Sequence, residues 1–156
     1  MRSLIIAVGH KLPPWAETAC SEFHKRLGRD LPLAVLEVSP EPRRSGRTLA
    51  QALEAEARRI EALIPRGARR VVLDERGRAM TTREFARTLQ SWLNDGRDTV
   101  FLIGGADGLS GALKEQADLT LQLSSLTLPH ALARVILLEQ IYRACSLLDH
   151  HPYHRE

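Results

Sequence analysis

In the stretch FLIGGADGLS (residues 101–110) an apolar run stops at Gly104-Gly105-Ala106-Asp107-Gly108. Glycines at such a place let backbone come close to a partner, or supply a tight turn at positive φ. Neither common phosphate loop fits. A Walker loop needs GxxxxGK[ST], a string this chain lacks. A dinucleotide fingerprint needs GxGxxG directly after the first strand, whereas these glycines follow the fourth apolar run. Two other segments end in a marked way: VLDERG around Leu73, and LSSLTLPH, residues 123–130. The latter runs through Pro129 into a helix start, where free amides and the dipole favour anionic groups. Leucine, isoleucine, threonine and glycine at three strand ends suit a flat apolar ligand held by backbone groups. An adenosine fits that description better than a metal or a triphosphate.

The elements that must position these ends alternate. SLIIAVG (3–9) reads as a buried strand, and Pro14 opens a helix with Trp15, Ala19, Phe23 and Leu27 on one face. LAVLEV (33–38) is a second strand. SPEPRRSGR (39–47) has no periodicity and reads as a mobile basic loop. A helix from about 48 to 64 stops at Pro65, and a third strand covers 70–74. TTREFARTLQSWL is a helix in which Thr81 and Glu84 have the capping-box spacing. TVFLIGG is the fourth strand, LSGALKEQA a short helix, and LTLQLSSLTL a fifth strand running into a loop. Pro129 opens the longest helix, to about Leu148. Strands that are continuously apolar and alternate with helices predict a mostly parallel sheet of five to six strands, covered on both faces. The last helix carries Leu132, Val135, Ile136, Leu137, Leu138, Ile141 and Leu147 around most of its circumference. It is therefore a central core helix or one covered by a second chain.

The bulk numbers set the frame. A chain of 156 residues, 44% hydrophobic and 26% charged, is expected to form a single domain over 1–156. Only 4% of residues are aromatic, which argues against a broad stacking surface for single strands. The net charge of +3 permits a polyanionic partner without demanding one. Cys20 and Cys145 stand apart, as thiols of a reducing compartment do. No apolar run suggests a signal peptide or a membrane span, so a cytoplasmic protein is expected. Arg43, Arg44 and Arg47 are the first set of residues suited to phosphate contact, with Arg66, Arg69 and Arg70 second. Either set could equally be a solvated surface. The tail HHPYHRE (150–156) has three histidines but no opposing ligand pair, and no metal is expected there.

FLIGGADGLS, LSSLTLPHALARVILLEQIYRA, the terminal HPYHRE and the first-strand segment IIAVGHKLPPW together resemble the RlmH family of ribosomal RNA methyltransferases, of the SPOUT class. The resemblance covers essentially the full length. It implies an α/β domain with a carboxy-terminal trefoil knot, a rare exception to the rule against threading. It implies a homodimer that binds S-adenosylmethionine and methylates N3 of a pseudouridine in large-subunit ribosomal RNA, on the assembled ribosome. The cofactor contacts it implies are Leu73, Gly104, Gly105 and the run Leu123, Ser124, Ser125, Leu126, Thr127 and Leu128. Where related sequences often read GGPEG, this one reads GGADG. The missing proline is expected to loosen the loop.

Methyl transfer is an in-line displacement, so positioning donor and acceptor should dominate. The N3 proton of the acceptor must leave, and donors that stabilise the adjacent carbonyl oxygens could supply much of the effect. The candidates are Arg143, Arg155, His130, Tyr153 and His154. His154 is the choice for base or relay, because its reference pKa lies near neutrality. His130, in a first helical turn, is as readily structural, and Arg143 could simply pair with Glu139. The rival reading is a non-catalytic RNA-binding or ribosome-assembly factor on the same fold.

Overall fold

The computed structural model describes residues 1–9, 11–28, 31–150 and 153. The elements alternate in chain order: β1 Ser3–Val8, α1 Pro14–Leu27, β2 Leu33–Val38, α2 Leu49–Glu61, β3 Arg69–Ala79, α3 Thr82–Asp95, β4 Thr99–Ile103, α4 Gly111–Glu115, β5 Leu119–Gln122 and α5 His130–Leu148. The five strands form one sheet in the order β2-β1-β4-β3-β5, and every pairing is parallel. All the carboxyl ends therefore lie along one edge. The expected sheet class and strand count hold.

The pleat divides the core in two. Ile5, Ala7, Val71, Phe101 and Ile103 face a cluster built with α1, α3 and α5. Ile6, Val8, Val72, Val100 and Leu102 face the other way, onto Ala57 and Ile60 of α2 and Leu113 of α4. All five residues of β4 are buried, because it lies inside the sheet with helices on both faces. At the edge, β2 exposes Ala34 and Leu36, so its apolar run is covered on one side only. On α1 the buried face is Ala16 and Leu27 with Cys20 and Phe23 packed beside them, and Trp15 is left 56% exposed. The face expected from the sequence was thus rotated by about one position.

Two boundaries differ from expectation. β3 continues past Asp74 to Ala79, because its pairing with β5 shifts register between Leu73 and Arg78 and resumes. α2 ends at Glu61, short of Pro65, and its start is fixed by a capping box between Thr48 and Gln51. The capping box of Thr81 and Glu84 forms as the spacing predicts. Along α5, Leu137, Leu138, Ile141 and Ala144 are fully buried, while Leu132, Val135 and Ile136 are only partly covered.

The basic loop 39–47 is tied down rather than free. Arg43 donates to the Glu41 carbonyl, to Glu56 Oε1 and to Asp107 Oδ2, at 2.7, 3.0 and 3.1 Å. Arg47 and Arg59 both pair with the Glu41 carboxylate. The second basic set is mostly structural. Arg69 is buried against Asp95, Thr99 and the Trp92 ring, and Arg70 pairs with Glu61 and Gln116. Both guanidiniums thus have carboxylate partners within the fold.

Candidate cofactor cleft

The tips of β3, β4 and β5 meet in a cleft of about 580 Å³. Leu73, Asp74 and Glu75 come from β3, and Ile103 through Gly108 from the end of β4. Leu123, Ser124 and Leu126 through His130 come from the segment joining β5 to α5, with Lys114 and Ala133 closing the sides. Of the expected contacts, Leu73, Gly104, Gly105, Leu123, Ser124, Leu126, Thr127 and Leu128 line this space. Ser125 lies in the same segment but not on the wall. Leu126 is 76% exposed, a large aliphatic side chain held at the mouth of a concavity. Such a position is unfavourable in water and suits a ligand with an apolar face.

The charges around the cleft are mainly acidic. Asp74, Glu75 and Asp107 stand against the single lysine, Lys114, which pairs with Asp74 at 2.9 Å. The backbone amide of Arg76 and then Lys114 hold the Asp74 carboxyl below its ordinary value, so it stays ionised. Asp107 is paired in turn with Arg43, which leaves Glu75 as the uncompensated acid of the rim among the described residues.

The glycine run folds back on itself. Gly108 has φ 77°, a left-handed conformation, and its amide donates to the Gly105 carbonyl at 3.0 Å. A Cβ on Gly104 would stand 2.6 Å from the carbonyl oxygen of Gly108 and 2.8 Å from its Cα. The close approach that requires glycine at 104 is thus within the loop, and only the hairpin it permits faces the ligand space. The departure at Ala106-Asp107 has its own compensation. The Asp107 carboxylate is gripped by Arg43, so an ion pair restrains the loop.

A buried polar chain holds the Gly104 carbonyl. Arg134 is 1% exposed, yet it sits in the second turn of α5. It donates to Glu37 Oε1 at 3.2 Å and to His130 Nε2 at 3.3 Å. His130 Nδ1 lies 3.0 Å from the Gly104 carbonyl. A guanidinium only donates and a carbonyl only accepts, so His130 must carry its proton on Nδ1 and accept at Nε2. Burial, and then Arg134, push this imidazole below its ordinary pKa, against the opposing hydrogen bond to Gly104. His130 is thereby a neutral strut between α5 and the β4 tip rather than an acid or base. The sequence offered no signal for Arg134, because an arginine among apolar helix residues reads as a solvent-facing side chain.

Residues 1–154 match the family described as predicted SPOUT methyltransferase. The chain belongs to the SPOUT methyltransferase family. A Bordetella petrii protein named ribosomal RNA large subunit methyltransferase H is 54% identical over 155 residues, 99% of either chain. One of the same name from Methylibium petroleiphilum is 54% identical over 156 residues, the whole of both. Among solved structures, a probable methylase family protein from Haemophilus influenzae Rd KW20 gives a TM-score of 0.54 at 15% identity. That likeness covers 99% of this chain and 70% of the other, and shows the fold alone. A methyltransferase requires a methyl donor, and the cleft of this SPOUT chain lies at the strand tips, where open α/β sheets bind ligands.

Arg143 and Tyr153 lie elsewhere in this SPOUT chain. Arg143 is about 20 Å further along α5 than His130, at 1.5 Å per residue. Its guanidinium donates to Glu139 Oε1 through Nε and a terminal nitrogen, at 2.8 and 2.5 Å. Tyr153 donates to the same oxygen at 3.1 Å, stacks edge-on against Tyr142, and receives the Arg143 guanidinium over its ring. Burial, with Glu139 adding, raises the Tyr153 phenol, so it stays a donor at neutral pH. Neither Arg143 nor Tyr153 lines the cleft of its own chain. His154 and Arg155 lie outside the described residues. No helix among the described residues is long and apolar enough to cross a membrane.

Proposed function

We propose that this protein transfers a methyl group from S-adenosylmethionine to N3 of a pseudouridine in large-subunit ribosomal RNA. The observation that carries the reading is the cleft formed by the three strand tips, with Leu126 exposed at its mouth. Its walls fit the donor in kind. Leu73, Ile103, Leu123, Leu126 and Leu128 offer aliphatic faces for an adenine. Ser124 and Thr127 offer hydroxyls, and Glu75, the rim acid left without a paired cation among the described residues, favours a cationic ligand over a phosphorylated one. When bound, S-adenosylmethionine would supply a methyl group on a positively charged sulfur. The chain's part is to hold and orient: the 104–108 hairpin and the 123–128 segment form the walls, and His130 fixes the hairpin's carbonyl. The RNA substrate is supported by the names of relatives at 54% identity over their whole length. We assign the cytoplasm as the setting, and the trefoil knot of the family as the path of the carboxy-terminal segment.

Arg143 lies near the far end of α5, and Tyr153 packs against it there. They can serve a cleft only if a second copy brings its α5 alongside. A two-fold homodimer would do this, covering the partly exposed Leu132, Val135 and Ile136 at the same time. In that arrangement Arg143 and Arg155 stabilise developing charge on the acceptor's carbonyl oxygens, and His154 takes the N3 proton.

The test is mass spectrometry of large-subunit RNA from cells lacking the gene, after incubation of their ribosomes with the purified protein and S-adenosylmethionine. A new methyl group on pseudouridine is expected. Ribosome binding without any transfer would replace this reading with that of a non-catalytic assembly factor.

A further inference from the structure

We infer that the pocket between the 39–47 loop and α2 binds phosphodiester groups of the RNA substrate, an inference that rests on the function just proposed. The pocket holds about 650 Å³ and is lined by Arg44, Arg47, Arg58 and Arg59, with Glu41 and Glu54 as its only acids. Its walls are mainly polar, with Pro42 and Gly46 the exceptions, which suits a hydrated anion. The four guanidiniums are not equivalent. Arg47 and Arg59 share the Glu41 carboxylate, which orients both and leaves each with spare donors. Arg44 and Arg58 are exposed and pair with no carboxylate among the described residues. With two acids against four arginines, the lining carries an uncompensated positive charge, concentrated on Arg44 and Arg58. Planar guanidiniums pre-oriented by a carboxylate are the groups that take phosphate oxygens in pairs.

The position of this pocket is fixed relative to the cofactor cleft. Arg43, adjacent to Arg44, bridges the 39–47 loop to Asp107 of the glycine hairpin and to the buried Glu56 of α2. One residue therefore connects the wall of the cleft to the wall of the arginine pocket. RNA seated in the second is held at a set distance from the first, which is how remote binding contributes to alignment of the reacting atoms.

The experiment measures binding to unmethylated large ribosomal subunits across a range of KCl concentrations, with S-adenosylhomocysteine affinity measured in parallel. The chains compared are wild type, Arg44→Gln/Arg58→Gln and Glu54→Lys. Each lost phosphate contact should lower the slope of log K against log salt by about 0.7–0.9, so the double variant should lose about 1.5. Glu54→Lys should bind more tightly and steepen the slope, a change in the opposite direction that misfolding cannot mimic. S-adenosylhomocysteine affinity should be the same in all three. Wild-type slope and affinity in both variants would overturn the inference while leaving the methyltransferase reading intact. So would saturation of the pocket by inorganic phosphate with no effect on subunit binding, which would assign it to a free anion. Wild-type protein that binds no ribosomal particle would remove both readings together.

Discussion

The Gly104→Ala variant tests whether the glycine hairpin shapes the cleft. The added methyl would lie 2.6 Å from the Gly108 carbonyl oxygen, where ordinary contact begins at 3.4 Å. Backbone, not a flexible side chain, is in the way, so the hairpin must open by nearly an ångström. Such overpacking costs about 1–3 kcal/mol. If the displaced loop can no longer meet the ligand, that cost appears in affinity as roughly a ten- to hundredfold weaker Kd. Gly111→Ala is the matched control. It lies in the first turn of α4 with open space around its would-be Cβ, and should be neutral or slightly stabilising. Isothermal calorimetry with S-adenosylhomocysteine on both variants, with thermal melts alongside, reads the two effects separately. Wild-type affinity in Gly104→Ala would refute the reasoning, because the hairpin's closed form would then be irrelevant to the cleft.

The remaining predictions concern the polar supports and the second copy. Arg43→Ala leaves the Glu56 carboxylate, only 2% exposed, without its cation, and should lower the urea unfolding midpoint. Adding Glu56→Gln should recover most of that loss; an additive double variant would count against the pairing. His130 is held neutral by folding, so the unfolded chain binds the proton more readily. Stability should therefore fall as pH drops through the ordinary histidine value of about 6.5, and level off once the folded imidazole also protonates. His130→Gln, which can still donate to Gly104 and accept from Arg134, should flatten that component in denaturation midpoints. If sites are shared between chains, a cleft-deficient Gly104→Ala chain mixed with an Arg143→Met chain should form hybrid dimers. Random exchange would restore about a quarter of wild-type methyl transfer, one intact site per hybrid. No recovery on mixing would place the whole site within one chain.

Much of the fold was legible in the sequence because parallel strands buried on both faces leave unmistakable runs. FLI at 101–103 and IIAV at 5–8 are buried as read. What local pattern could not give was pairing: β3 runs on to Ala79 only because β5 offers partners beyond a bulge. Trp15 misled the reading of α1, since helical spacing defines a stripe but not which edge of it meets the core. At the site, the three strand tips were legible because a parallel sheet must bring its carboxyl ends together. The roles of individual charges were not. Arg43 and Arg70 were candidates for RNA phosphate contact or for a merely solvated surface, and both are engaged by carboxylates on a neighbouring element, α2. Arg134 could not be singled out, because its partner Glu37 is brought to it only by the packing of α5 on the sheet.

The central claim is that the tips of β3, β4 and β5 hold a methyl-donating adenosine. Backbone amide NMR of the isotopically labelled protein, titrated with S-adenosylhomocysteine and with ATP, tests it most directly. The account predicts saturable shifts at Leu73, Gly104, Gly105 and Leu123 through Leu128 with the first ligand, at one equivalent per chain, and none of comparable size with the second. An unchanged spectrum, or shifts gathered at the 39–47 loop and absent from the strand tips, would contradict it.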